Sequence, residues 1–223
     1  MQKRLNIGLL VCAAVCLVCY DIFGGLWLKG LTSSWFVLLG GVNLWAARKK
    51  KPLCFFVLIE AGLFCGMLAD ILLGIVFYAG VAVFALGHIL YLAAFCALEK
   101  FRPGDLKAMI PLAVISVFLV TGTPWITVED PFLQKLLPVY ALIIAAMLGK
   151  AVSNLICRPS LFRWLLAIGS VMFWFSDLML AIDMFGQASR LTWILCSYSY
   201  WPAQNLLAHG LYYGEKETGK CGN

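Results

Sequence analysis

Two carboxylates and one imidazole interrupt stretches that are otherwise apolar. Asp70 sits in Gly66-Met-Leu-Ala-Asp70-Ile-Leu-Leu-Gly74, His88 and Tyr91 sit in the run 77–95, and Asp177 sits in Ser176-Asp177-Leu-Met-Leu-Ala-Ile-Asp183. An ionisable group at membrane depth costs about 2.5–3.5 kcal/mol even on lenient scales, so it faces a bundle interior, a water-filled cavity or a site. Two carboxylates under unequal desolvation can run acid and base chemistry together. The more buried one keeps its proton and donates it, while the other activates water or steadies a cation. Hydrolysis through an oxocarbenium-like state uses such a pair. A proton relay needs the same residue types, so the residues alone leave both open. The chain has no G-x-S-x-G, H-E-x-x-H, P-loop or dinucleotide fingerprint, which argues against serine lipases, zinc proteases and nucleotide-driven pumps. Two histidines are too few for a multi-His metal site, so neither metal nor cofactor is expected.

The elements that must position these residues are transmembrane helices. The 223 residues are 63% hydrophobic and 13% charged, against roughly half and a quarter in soluble domains. The apolar runs are long and continuous, whereas barrel strands alternate. The fold class expected is therefore an all-α polytopic membrane protein, one transmembrane domain over 1–223. Eight spans of about the required length are predicted: 6–28, 32–47, 53–74, 77–98, 107–123, 132–149, 161–183 and 189–213. The apolar run 5–28 is too long for a signal-peptide core and is expected to stay as the first span. Pro111 and Pro124 bound the fifth span. The nine cysteines lie mostly within apolar runs and are expected to pack as small hydrophobes. No internal repeat of the transporter kind stands out.

Charge distribution orients the spans. With eight of them, both termini and loops 2-3, 4-5 and 6-7 share one side, which carries 14 of the 17 basic residues. Those include Lys3, Arg4, Arg48 to Lys51, Lys100, Arg102, Lys107, Lys150, Arg158, Arg163, Lys216 and Lys220. Only Lys29, Lys135 and Arg190 fall on the other. The positive-inside rule then places both termini in the cytoplasm, in the cell membrane if the source is bacterial and the endoplasmic reticulum if it is eukaryotic. The net charge of +6 reflects topology, and no nucleic-acid partner is expected.

Depth follows from a rise of ~1.5 Å per residue. Asp70 falls roughly 6 Å and Asp177 roughly 9 Å below the outer ends of their spans, with His88 roughly 16 Å down and Tyr91 a turn deeper. Asp183 stands at the outer end of its span, Lys29 closes the first, and Tyr200 and Gln204 lie on the last. Ionisable groups from several spans thus share the non-cytoplasmic half, while Glu60 and His209 fall nearer the other side. Each has a packing reading as well. A buried Asp can serve only to fix the bundle, Asp183 can cap a helix or pair with Arg190, His88 can be a core histidine, and Gln204 can be interhelical glue.

Together the motifs resemble the YhhN family of eight-span membrane proteins, which includes lysoplasmalogenases. The resemblance rests on Gly66-x-x-Ala69-Asp70-x-x-Leu73, on Phe77-x-x-Gly80-x-x-x-Phe84-x-x-Gly87-His88-x-x-Tyr91, and on Phe175-Ser176-Asp177-x-x-Leu180-Ala181-x-Asp183-x-Phe185. Tyr200-Trp-Pro-Ala203-Gln204 and a first span ending in Lys29 complete it. It implies hydrolysis of the vinyl-ether bond of a lysoplasmalogen to a fatty aldehyde and glycerophosphocholine or glycerophosphoethanolamine. Asp70 and Asp177 would be the acid/base pair, and His88 would assist as the third catalytic residue. Tyr91, Asp183, Gln204, Tyr200 and Ser176 would line the substrate site, and Lys29 would meet the phosphate. A carrier using the same carboxylates, or a lysolipid-binding protein without catalysis, would share these residues.

Overall fold

A computed structural model describes residues 2–49 and 52–218, with side chains to 214. Lys50, Lys51, Lys220 and the Lys216 side chain, all in the charge count, lie outside the described residues. Among the described residues there are eight α-helices and no strand: α1 Gln2–Phe23, α2 Leu26–Ala47, α3 Leu53–Leu73, α4 Phe77–Leu98, α5 Leu106–Thr121, α6 Pro131–Cys157, α7 Leu161–Phe185 and α8 Arg190–Thr218. Six stretches, α1, α3, α4, α6, α7 and Pro103–Thr121, are long and apolar enough to cross a membrane. Helices α2 and α8 are long too, but they carry polar residues that turn inward. Thr32, Ser33 and Asn43 of α2 and Ser197, Ser199, Gln204 and Asn205 of α8 are all buried. Interior polarity lowers the hydropathy of a helix whatever its surroundings.

Two boundaries differ from expectation. The first apolar run does not continue to residue 28. Gly24 (φ 65°) and Gly25 (φ 93°) take the left-handed backbone region, which costs glycine nothing, and α1 stops there. Lys29 therefore belongs to the first turn of α2 rather than the end of α1. In the other case α6 runs on past 149 to Cys157, so Lys150 is a helical residue and not a loop one. Its next polar neighbours, Ser153 and Asn154, are buried with it.

Helices α3, α4, α6, α7 and α8 close a ring, with α2 packed on α3 and α8, α1 resting on α2, and α5 on α6. The ring interior is aromatic. Phe173 stands 5.3 Å from Tyr200, 6.3 Å from Phe84 and 6.2 Å from Tyr91, centroid to centroid, within the range where tilted and edge-on aromatic pairs attract. The peripheral helices face outward with apolar side chains, as Val11, Val15 and Ile22 do on α1 and Val114 and Phe118 on α5. Bilayer-facing helices require this, because lipid replaces water there.

Small residues let α3 approach its neighbours. A Cβ on Gly62 would come within 2.4 Å of the Tyr91 ring, and one on Gly66 within 2.5 Å of the Gln204 side-chain nitrogen. Gly62, Gly66 and Asp70 recur every fourth residue and share one face. Gly62→Ala is expected to destabilise the protein by about 1–3 kcal/mol, the usual cost of overpacking, measured by thermal unfolding in detergent. An unchanged melting temperature would show that the Tyr91 ring can move aside.

The end of the bundle away from Lys29 is fastened by buried charge. The Lys150 ammonium donates to Asp105 Oδ2 at 2.7 Å, both residues being at most 1% exposed. The Ser153 hydroxyl donates to the other Asp105 oxygen at 2.5 Å, and the Arg102 amide to Oδ2 at 2.8 Å. Arg163 pairs with Glu99 at 3.0 Å. Beside them, Asn43 joins Asn6 of α1 to the Ala208 carbonyl of α8. At the opposite end, Asp130 caps α6 through the Phe132 amide and receives the Tyr78 hydroxyl. The hydroxyl donation holds the Asp130 carboxyl below the usual carboxylate range.

Candidate active site

Asp70 is 2% exposed and collects donors from three sides. Ser33 donates to its Oδ2 at 2.5 Å and Tyr200 to the same oxygen at 2.9 Å. Lys29 lies 3.7 Å from Oδ1. These donors are themselves held. Trp201 donates its indole N–H to Ser33 Oγ at 3.1 Å. Gln204 donates to the Tyr200 hydroxyl at 3.3 Å and accepts from Tyr91 at 2.7 Å. Every hydrogen in the sequence Tyr91, Gln204, Tyr200, Asp70 thus points toward the carboxyl group. Lys29 and Ser33 are four residues apart on α2 and so share a face.

Asp177 is placed differently. Its Oδ2 accepts from Tyr140 at 2.5 Å, and His88 Nε2 lies 3.5 Å from the same oxygen, long for a hydrogen bond. The His88 ring is 1% exposed and wedged between Phe173 at 4.6 Å and Tyr140 at 5.4 Å. Asp177 lines a cavity of about 430 Å³. The polar members of its wall are Asp177, Lys29, Tyr140, Tyr20, Ser116 and Trp174, and the rest is glycine and apolar side chains, mostly leucine, from α2 to α7 and the turns between them. Asp70, His88, Tyr91, Tyr200 and Gln204 stand outside that wall.

The structure therefore joins Asp70, Lys29, Tyr200, Gln204 and Tyr91 in one network and sets Asp177 with His88 and Tyr140 in another. Lys29 and Asp177 share the cavity. Two expected lining residues are elsewhere. The Ser176 hydroxyl returns to the Phe173 carbonyl of its own helix at 2.7 Å. Asp183 accepts from Thr192 at 2.7 Å across the α7–α8 turn. Arg190, the other candidate partner of Asp183, pairs instead with Asp21, which also receives the Tyr198 hydroxyl. Ser33, Trp201 and Tyr140 are not among the expected site residues. Serine and aromatic residues are common in spans, and only the four-residue spacing from Lys29 to Ser33 marks one of them.

Compared with known families, residues 31–211 match the model of the YhhN family. The chain is a member of the YhhN family. The match takes in α3, α4, α6 and α7 whole and reaches from α2 into α8, so Asp70, Asp177 and their partners lie within it, except Lys29, two residues before its start. Comparison with curated proteins and with solved structures gave no match. For this YhhN chain, geometry makes a further expectation. Tyr140→Phe removes the 2.5 Å hydrogen bond that Asp177 accepts, and a typical hydrogen bond contributes about 0.5–1.5 kcal/mol net. The thermal midpoint in detergent is expected to fall by a few degrees against wild type.

Proposed function

We propose that the protein is a membrane hydrolase that cleaves the vinyl-ether bond of lysoplasmalogens. The observation that carries the reading is that one carboxyl, Asp177, and one cation, Lys29, line the same largely apolar cavity. An amphiphile with a single chain and a phosphate head matches that lining. Family membership supports the reading, because the YhhN match covers Asp177 and most of the cavity wall.

The chemistry follows from the substrate. A vinyl ether is protonated at its β-carbon, and the ether oxygen stabilises the resulting oxocarbenium ion. Asp177, the carboxyl that faces the cavity, supplies that proton. Its carboxylate then accepts a proton from the water that adds to the α-carbon. The hemiacetal collapses with its hydroxyl proton leaving and the glycerol oxygen protonated, which releases aldehyde and glycerophospho-base. Asp177 ends as it began. In this scheme Asp70 touches no reacting atom. It is a positioning residue that holds Lys29 toward the phosphate, and its negative charge stabilises the nearby cation. His88 and Tyr140 fix the orientation of the Asp177 carboxyl. All eight helices cross the bilayer, α2 and α8 hiding their polar faces within the ring.

The decisive measurement is aldehyde release from a lysoplasmalogen by purified protein, with the saturated-ether lysolipid as control. Aldehyde from the vinyl ether alone is the expected outcome. No aldehyde from folded protein, with lysolipid bound, would leave a binding protein in place of a hydrolase.

A further inference from the structure

The depth of the cavity and the length of a lipid chain do not agree, and the disagreement locates an opening. Lys29 is three residues into α2, ~4.5 Å from the helix end, so a phosphate at Lys29 lies near the rim. Asp177 is eight residues from the end of α7, ~12 Å down. By helix rise the cavity's deepest lining residues on α6 and α7 are Ile144 and Trp174, the latter bonded to Ser116 of α5, and we take these as its floor. Trp174 is three residues before Asp177, ~4.5 Å deeper, and Ile144 lies ~20 Å along α6 from its start at the same end. A floor roughly 5–8 Å below the reacting carbon cannot take a chain that fills half of the ~30 Å hydrocarbon core. With the head at the rim, the chain must turn sideways.

One wall is built to let it. Helix α5 packs along α6 and meets α7 only lightly, yet α5 and α7 both line the cavity, through Ser116, Leu119 and Val120 on one side and Trp174, Leu178 and Ala181 on the other. Among the described residues a single side-chain hydrogen bond is recorded between these helices, from the Trp174 indole N–H to Ser116 Oγ at 2.8 Å. It lies at the depth of the floor. Pro111 sits within α5, where it removes a backbone donor and weakens the helix. The rest of α5 faces outward, with Val114, Ile115 and Phe118 exposed.

We propose that the gap between the outer halves of α5 and α7 is a lateral portal through which the substrate's hydrocarbon chain passes from the site into the bilayer, with the Trp174–Ser116 bond as its sill. The proposal rests on the lysolipid reading for the placement of the head. It makes the site indifferent to chain length beyond the portal, because the distal carbons stay in lipid whether or not the head is bound.

The test uses binding, which does not depend on turnover. The full-length protein in nanodiscs is titrated with non-hydrolysable saturated-ether lysolipids carrying a sixteen-carbon chain, with and without a pyrene at the far end. Affinities within about threefold of each other are expected. A loss above tenfold for the pyrene chain means an enclosed pocket and overturns the portal. Leu119→Trp narrows the gap and is expected to weaken both ligands at least tenfold. Leu119→Phe, a smaller change, should give an intermediate loss if the tryptophan variant fails to fold. Unchanged binding in a folded Leu119→Trp protein overturns the portal. Absence of any lysolipid binding overturns portal and hydrolase together. Pyrene tolerance without aldehyde release from a lysoplasmalogen removes only the hydrolase.

Discussion

In the proposed hydrolase, Asp177→Asn is expected to abolish aldehyde release. An amide cannot protonate the vinyl β-carbon, nor can it take the proton from attacking water, so both halves of the proposed reaction stop. General acid or base catalysis by a positioned side chain is worth about 10²–10⁴-fold, and here one group serves in both roles. The substitution is nearly isosteric and keeps an acceptor for the Tyr140 hydroxyl, so the fold and lysolipid binding should persist. Asp70→Asn is the informative contrast. The amide oxygen still accepts from Ser33 and Tyr200, but the charge opposite Lys29 is gone. A smaller loss is expected, with KM raised as well as kcat lowered, because the phosphate contact is misplaced while the acid is intact. Near-normal turnover by folded Asp177→Asn would sink the assignment. Equal and complete loss in both variants, with KM unchanged, would return Asp70 to the reacting atoms. Initial rates across substrate concentration, with melting temperature as the check on folding, separate these outcomes.

Lys150→Met is expected to be the most damaging change far from that chemistry. Lys150 is wholly buried and donates to a carboxylate that is 1% exposed. Removing one partner of a buried pair leaves the other charge stranded, at a cost of about 3–5 kcal/mol. The double variant Lys150→Met with Asp105→Asn removes both charges and should recover most of the loss, since replacing a buried pair is often close to neutral. The amide that replaces the carboxylate would retain a partner in Ser153. Denaturant or thermal unfolding in detergent measures all three proteins. If the double variant is no more stable than Lys150→Met, the pair is not coupled and the ammonium acts through packing alone.

How much of this is visible in the chain beforehand depends on how each residue signals. Asp70, His88 and Asp177 stand out because ionisable groups in apolar runs are costly. Tyr91 follows from its place one turn past His88, Tyr200 and Gln204 from their polarity in the last span, and the structure links all three to Asp70. Lys29 stands out as well, but hydropathy gives it to the wrong helix. The run 5–28 is continuously apolar, and hydropathy does not sense that Gly24 and Gly25 adopt positive φ. Lys150 reads as a loop charge because a span of ordinary length ends near 149, while α6 extends to Cys157. Its partner Asp105 lies 45 residues away, in a segment that looks like a polar connection. Ser33, Tyr140 and Trp201 carry no such signal. Their roles come from which helices are neighbours, and periodicity within one helix says nothing about that. For the same reason Ser176 and Asp183, drawn in by their closeness to Asp177 in sequence, turn to the Phe173 carbonyl and to Thr192.

The two buried polar systems described above sit at opposite ends of the bundle and have no residue in common. Asp105, Lys150 and Ser153 tie α6 to the short turn before α5, while Asp70 and Asp177 work among α2, α3, α6, α7 and α8 at the other end. Substitutions that share no partners and lie well apart combine additively. Robustness and the proposed turnover can therefore drift separately in this molecule. A lineage, or an engineer, can reinforce the fastened end without stiffening the working one, and so avoid the usual exchange of activity for stability.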